Sequence, residues 1–344
     1  MSESTPLNKR PVKYSEDESQ PYDDYITDDE FTISTNTKIV IGTIVAFLTL
    51  VTLYIFTIFL PSYFIPEGIT LTTIQNISEL KSPLLPSNPH SRMILIGDIH
   101  GHYIEFRNLL SKVKYNSKKD TLVVLGDFIT KGPDSFKMLE FLIDNDVECI
   151  LGNHEYYVLQ NYAMFHRLDQ PEFAIPPIHD HPISIDDSYN DDPEFLLAKK
   201  LQPRHVRYIN SCSVIKKLGR VPGGMEGIAV HAGVRPDLTL SEQDPIDNLE
   251  MRSLIGPFYN ESTSDPTIPG AKSWSKVYNW KNGEAPANYT VYYGHDAGRG
   301  LKLKEFTKGL DSRCDRGGKL SAMVISTDKK KKDKLVEEIV QVHC

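Results

Sequence analysis

Seven side chains able to coordinate a metal or move a proton sit in short blocks of this sequence bounded or preceded by glycine. Asp98 and His100 lie in "GDIHGH", Asp127 in "GDFITKGPDS", Asn153 and His154 in "GNHE", His231 in "HAG" and His295 in "GH". Each block follows a short apolar run, so each falls where a buried strand ends. Ligands of open α/β sheets collect beyond the carboxyl ends of strands, which brings the five blocks to one crevice. Leaving His154 aside, two carboxylates, an amide oxygen and three imidazoles make a mixed oxygen and nitrogen donor set. That set suits Zn, Mn, Fe or Co and does not suit Ca or Mg. A lone histidine at a strand end reads as a hydrogen-bonded core residue. Five such blocks in one chain do not.

The elements that must position them are legible as patterns. "RMILIG" (92–97), "TLVVLG" (121–126) and "VECILG" (147–152) read as buried strands, and 103–114 and 135–145 repeat apolar residues at helical spacing. This is a βαβαβ run with right-handed crossovers, leading into a further helix from His154. More strands are predicted at 227–233, 290–295, 319–327 and 334–342, the last two antiparallel. The expected fold class is therefore α/β (α+β) with a mixed sheet.

In order and wording the five blocks resemble the signature of the calcineurin-like metallophosphoesterases, on their phosphoprotein-phosphatase branch, over about Arg92 to Ser326. "VHAGVRPDLTLSEQDP", "YYGHDAGRGL" and "GLDSRCDRGGKLSAMVI" look like a fungal subgroup, membrane-anchored and zinc-dependent, that acts on inorganic polyphosphate in the vacuole. The resemblance implies a mixed β-sandwich flanked by helices. It also implies two divalent metal ions, zinc first and Mn, Co or Fe as alternatives, and direct attack by an activated water. Asp98, His100 and a bridging Asp127 would take one ion, and Asp127, Asn153, His231 and His295 the other. His154 stands where the family places its general acid for the leaving group. Lys131, Arg299 and, in "EMRSL", Arg252 are expected to hold substrate phosphate.

One block departs from the family pattern G-D-x-V-D-R-G. Thr130 replaces an acid that would pair with the catalytic histidine and raise its pKa. Lys131 replaces an arginine that grips phosphate bidentately, and the two cations are not interchangeable there. A weakened general acid favours anhydride bonds, because a phosphate leaving group with a last pKa near ~6 departs without much protonation. Together with the resemblance, which implies it, this makes inorganic polyphosphate, cut internally, the expected substrate. A dinucleoside polyphosphate and a phosphorylated Ser/Thr protein are the alternatives among enzymes, and a catalytically silent membrane-tethered binding protein is the alternative outside them.

A net charge of -8 and a pI near 5.8 leave no global basic field, which sets duplex nucleic acid aside as a partner. No feature of the sequence names a protein partner. Residues 1–38 hold nine acids and few large apolar side chains, so they read as an acidic, disordered cytosolic tail. Residues 39–60 carry no charge and are long enough to span a ~30 Å hydrocarbon core, which predicts a signal anchor in a lipid bilayer. Lys9, Arg10, Lys13 and Lys38 precede that stretch and no basic residue follows it before Lys81. The positive-inside rule then makes this a type II protein with a luminal domain at 91–344, joined by a Pro-rich linker at 61–90. Sequons at Asn76, Asn260 and Asn288 all fall on the luminal side, which would make it a glycoprotein. Four cysteines without C-x-x-C spacing exclude a cysteine zinc site, and their pairing is open. "IHDH" (178–181), inside an acidic insertion at 171–194, reads as loop, and Lys329–Lys332 reads as a solvated hairpin tip.

Overall fold

The computed structural model describes residues 33–63, 67–81, 91–178, 192–284, 289–328, 330 and 334–344. The tail up to residue 32, linker residues 82–90, most of "IHDH", the sequon at Asn288 and most of the lysine run lie outside the described residues. The chain divides into two units, Met1–Ile65 and Pro66–Cys344.

The first unit is a helix, α1 (Thr35–Tyr54), which runs through a π-turn at Ile55–Phe59 into α2 (Leu60–Tyr63). Ser34 caps it by accepting from the Thr37 amide. Among the described residues, Thr35–Phe59 is the one helix long and apolar enough to cross a membrane, and no part of it is buried in the protein. The hydroxyls of Thr43, Thr49 and Thr57 donate to the carbonyls of Ile39, Val45 and Leu53, one turn back, at 2.9, 2.8 and 2.7 Å.

The second unit is a sandwich of two mixed sheets. In the five-stranded sheet the order is β14 (Leu335–His343), β13 (Lys319–Thr327), β2 (Arg92–Ile96), β3 (Asp120–Val124), β4 (Glu148–Cys149). The six-stranded sheet runs β1 (Ile77–Glu79), β5 (Ile215–Arg220), β6 (Glu226–Val230), β10 (Tyr289–Tyr293), β12 (Thr307–Gly309), β11 (Lys302–Leu303). A small third sheet holds β7 (Ser253–Ile255) between β8 (Ser262–Thr263) and β9 (Ala271–Ser273). The helices are α3 (Tyr103–Lys112), α4 (Ser135–Asp144), α5 (Asn153–His166), α6 (Pro193–Ala198), α7 (Pro203–Ser211), α8 (Pro245–Glu250) and α9 (Trp274–Glu284).

Side chains alternate along each central strand and so build two cores. Met93 and Leu95 of β2, Ala229 of β6, Tyr292 of β10 and Met323 and Ile325 of β13 meet between the sheets. Ile94, Ile96, Ile228, Val230 and Val291 face the other way, in a cluster with Phe106, Leu109, Met138, Leu139, Ile209, Trp274 and Val277 from the helices. Strands covered on both faces read as continuous apolar runs, which is why the sequence patterns located them.

Two expectations need correction. The predicted third strand keeps only two residues of ladder, because the chain leaves the sheet and turns into α5 at Asn153. The linker drawn at 61–90 is partly structural. Residues 77–79 pair in parallel with β5, and Ile74, Asn76 and Leu80 are buried. Period-2 burial over so short an edge is masked in the sequence by its Thr, Asn and Ser content. Asn76 itself donates to the Ile175 carbonyl at 3.1 Å and accepts from its amide at 2.7 Å, which leaves no place for a glycan in this fold. Asn260 is exposed. Cys149 pairs with Cys212 and Cys314 with Cys344.

Candidate active site

β2, β3 and β4 run parallel in one sheet, and β6 and β10 run parallel in the other. The blocks that follow these five strands meet at one edge of the sandwich, as the topology rule requires. Their backbones are unusual. Among the described residues ten non-glycine residues have positive φ, and five of them are His100 (48°), Asp127 (48°), Thr130 (69°), Lys131 (54°) and His295 (63°). Left-handed backbone at such residues costs on the order of 1–3 kcal/mol each and persists only where surrounding contacts enforce it.

One enforcing group is Glu155, the last residue of "GNHE". Its buried carboxylate accepts from four amides: Asp127 at 2.6 Å, Phe128 at 3.0 Å, Ile129 at 3.2 Å and Gly152 at 3.0 Å. The second and third blocks are thereby tied to the first turn of α5. Burial, and then the charge of Asp127, push the Glu155 carboxyl up to about 7. Gly152 is required for closeness, since a Cβ there would stand 2.3 Å from Asp127 Oδ1.

Asp127 is the centre of the site. Its Oδ1 lies 3.3 Å from His231 Nε2, and its Oδ2 lies 3.6 Å from His100 Nε2 and 3.8 Å from His154 Nε2. His231 Nε2 is also 3.0 Å from Asn153 Oδ1. Two groups of donor atoms result, His100–Asp127–His154 and Asp127–His231–His295, and they share Asp127. Asp98 stands beside them, its two carboxylate oxygens each accepting from the His295 amide at 3.0 Å.

Hydrogen bonds on the far sides of the rings select the tautomers. His231 Nδ1 donates to the Leu125 carbonyl at 2.8 Å and turns Nε2 inward. His295 Nε2 donates to the Glu250 carbonyl at 3.0 Å and leaves Nδ1 for the site. His100 Nδ1 faces the Ile129 carbonyl at 3.4 Å, so its Nε2 carries the lone pair.

Electrostatics match a cation-binding role. Burial alone would raise the Asp127 carboxyl, but the imidazoles of His231, His154 and His100 hold it well below its usual range. Burial pushes His100 down to about 4 and, with the field of His231, pushes His295 well below the usual imidazole range. Both are therefore neutral at pH 7 and available as nitrogen donors. Burial opposes a proton on His231 too, yet the charge and hydrogen bond of Asp127, the charge of Asp98 and the bond to Leu125 together raise it to about 10. An anionic oxygen pulls a positive charge into a dry pocket there. Burial and the nearby Asp311 raise Asp98 well above the ordinary carboxylate range, so it also calls for a positive neighbour. Anionic oxygens, an amide oxygen and inward-facing nitrogens converging in a buried space fit one or two divalent ions.

The expected phosphate-binding residues part company. The Lys131 ammonium lies 3.1 Å from His100 Nε2, with Asp315 at 3.9 Å, directly at the donor groups. Arg252 is close enough for its charge to help lower His295. Arg299 is braced behind them, bonded to Asp296 at 2.6 Å, Ser253 at 2.9 Å and the Arg252 carbonyl at 2.9 Å.

The largest correction concerns His154. Thr130 offers it no acid, and Thr130 Oγ1 is itself buried without a partner among the described residues. A different acid is present. His154 Nδ1 donates to the Glu194 carboxylate, from the first turn of α6, which leaves Nε2 facing Asp127. Burial opposes the charge on His154, but Asp127 and the Glu194 hydrogen bond raise its pKa above the ordinary value. Burial raises Glu194, but this bond, a hydrogen bond with Asp192 and the charge of His154 together outweigh it and hold Glu194 down to about 2. His154 therefore has an acid partner although Thr130 is none. Glu194 lies 40 residues beyond His154 with no local signal, whereas Glu155 was visible as the acid of "GNHE".

Residues 91–301 match the calcineurin-like phosphoesterase family. The chain belongs to that family. It is a metal-dependent phosphohydrolase of the calcineurin-like phosphoesterase fold. The zinc-dependent endopolyphosphatase of Saccharomyces cerevisiae is 29% identical over 302 residues, 83% of this chain and 88% of that one. A symmetrical bis(5'-nucleosyl)-tetraphosphatase of Erwinia tasmaniensis is 45% identical over 71 residues, 20% of this chain and 26% of that one. A crystal structure of a protein assigned as a diadenosine tetraphosphatase shares 27% identity and a TM-score of 0.58, covering 78% of this chain and 97% of that one.

Proposed function

We propose that this phosphoesterase hydrolyses phosphoanhydride bonds within inorganic polyphosphate, using two divalent ions with zinc preferred. The observation that carries the reading is the likeness to the yeast endopolyphosphatase along 302 residues. Asp98, His100 and Asp127 are assigned to one ion and Asp127, Asn153, His231 and His295 to the other. Bound there, such ions supply a hydroxide at neutral pH and draw charge from phosphoryl oxygens. The chain's own groups do the rest. Lys131 neutralises the phosphate being attacked, and Arg252 steadies its neighbour. His154, held by Glu194, presents a proton to the departing phosphate oxygen.

Cleavage of dinucleoside polyphosphates is the second reading, favoured by the solved diadenosine tetraphosphatase-like structure. Purified full-length protein loaded with zinc distinguishes them, assayed on long-chain polyphosphate, diadenosine tetraphosphate and a phosphoserine peptide. The expected kcat/KM order is polyphosphate first by about tenfold or more, a difference of ~1.4 kcal/mol in transition-state stabilisation. A preference for either other substrate overturns the assignment.

The same proposal places residues 39–60 in the membrane, the tail in the cytosol and the catalytic unit in a lumen, the vacuole by likeness. Two disulfides suit an oxidising compartment. Protease added outside sealed vesicles is expected to trim the acidic tail and spare the catalytic unit. Digestion of the catalytic unit instead would reverse the orientation.

A further inference from the structure

Cations that the metal-side blocks do not use gather where β11 meets the start of α9. Arg299 lies in the turn after His295, and Lys302 and Lys304 follow on and just past β11. Lys304 is half-buried, and its ammonium donates to Ser275 Oγ at 3.0 Å. Lys276, exposed on α9, is the next residue after that serine. Burial, and then the charges of Arg299, Lys276 and Lys302, hold the Lys304 pKa below its ordinary value. Asp296 answers them in part, but it is already bonded to Arg299 at 2.6 Å. Among the described residues no carboxylate forms an ion pair with Lys276, Lys302 or Lys304 within 4.0 Å. The fold thus holds a half-buried ammonium among like charges with a serine hydroxyl as its bonded partner. An unpaired cluster of this kind on a chain of net charge -8 attracts anions locally.

The cluster is also continuous with the site. Arg299 donates to the Arg252 carbonyl, and the Arg252 charge acts on His295. Cationic groups therefore run from the edge of the donor groups to β11. We propose that Lys276, Lys302 and Lys304 form a distal subsite that holds phosphates of a linear polyphosphate strand several units away from the bond being cut. This rests on the polyphosphate reading above. A strand with a charge on every unit can engage the proximal and distal groups together, whereas a substrate of two or three phosphates reaches only the proximal ones.

The test compares full-length, zinc-loaded wild type with the triple variant Lys276→Gln, Lys302→Gln, Lys304→Gln on long-chain polyphosphate and on tripolyphosphate. The ratio of kcat/KM, long over short, is expected to fall about tenfold, and the dependence of log KM for the long chain on log salt to become shallower by about 2, at ~0.7 per lost contact. Equal losses on both substrates, which a folding defect would produce, or an unchanged ratio overturn the subsite. If wild type cleaves neither substrate, the substrate reading fails separately. Calorimetric binding of long-chain polyphosphate then decides the subsite: weaker binding by the triple variant supports it, and equal binding overturns it.

Discussion

Asp127→Asn should lower turnover by about a thousandfold or more, the scale of losing a group that organises charge at the reacting centre. Both donor groups share this one side chain, so under the proposed two-ion assignment its loss affects both positions at once. The substitution is nearly isosteric, and the Asp127 amide still donates to Glu155, so the loop should keep its course. Metal content measured by mass spectrometry on the purified variant should fall for both ions together, with the thermal melt of the metal-free protein little changed. Two bound ions per chain and normal turnover would remove the shared-carboxylate assignment.

The second large effect is expected at His154, where the structure reverses an inference from the second block. If His154, held by Glu194, is the proposed proton donor, His154→Ala should cost about 10²–10⁴-fold in kcat on polyphosphate. Glu194→Gln keeps the shape but removes the charge that holds the ring, and outer-shell losses of this kind cost about 10–100-fold. Because Glu194 acts through His154, the double variant should be no slower than His154→Ala alone, a strongly non-additive cycle. Losses that simply multiply would show that Glu194 works by another route. A His154→Ala variant with near-normal kcat would restore the view that the leaving phosphate needs no proton.

What could be read without a structure follows from which contacts are local. The five blocks announce themselves because a strand end, a glycine and a ligand type lie within a few residues. Asp127, His231 and His295 accordingly meet where expected. The long strand β13 coincides with its predicted range, since Ala322, Met323, Val324 and Ile325 form an unbroken apolar run at its centre. The Glu194 contact was hidden. It depends on α6 returning to the start of α5, and nothing near Asp192–Pro193–Glu194 points to a histidine 40 residues away. Residues 67–81 were hidden differently: an edge strand of three residues carries too few side chains to show a period. Arg299 was visible as a cation near His295, but its three bonds to protein groups make it a brace and give the exposed charge to its neighbours.

The clamp formed by Glu155 has a consequence for how freely this site can change its wording. It accepts from the amides of Asp127, Phe128, Ile129 and Gly152, and an amide is the same whatever side chain it carries. The position of Asp127 is thereby addressed through the main chain, and the side chains at 130 and 131, unlike the core residues Phe128 and Ile129, are released from that duty. Substitutions such as Thr130 and Lys131 can then retune what the pocket recognises while the bridging carboxylate stays where it is. Drift in substrate choice and permanence of the reaction centre are separable in this fold because one buried acid keeps the two on different accounts of the same loop: one in amides, the other in side chains.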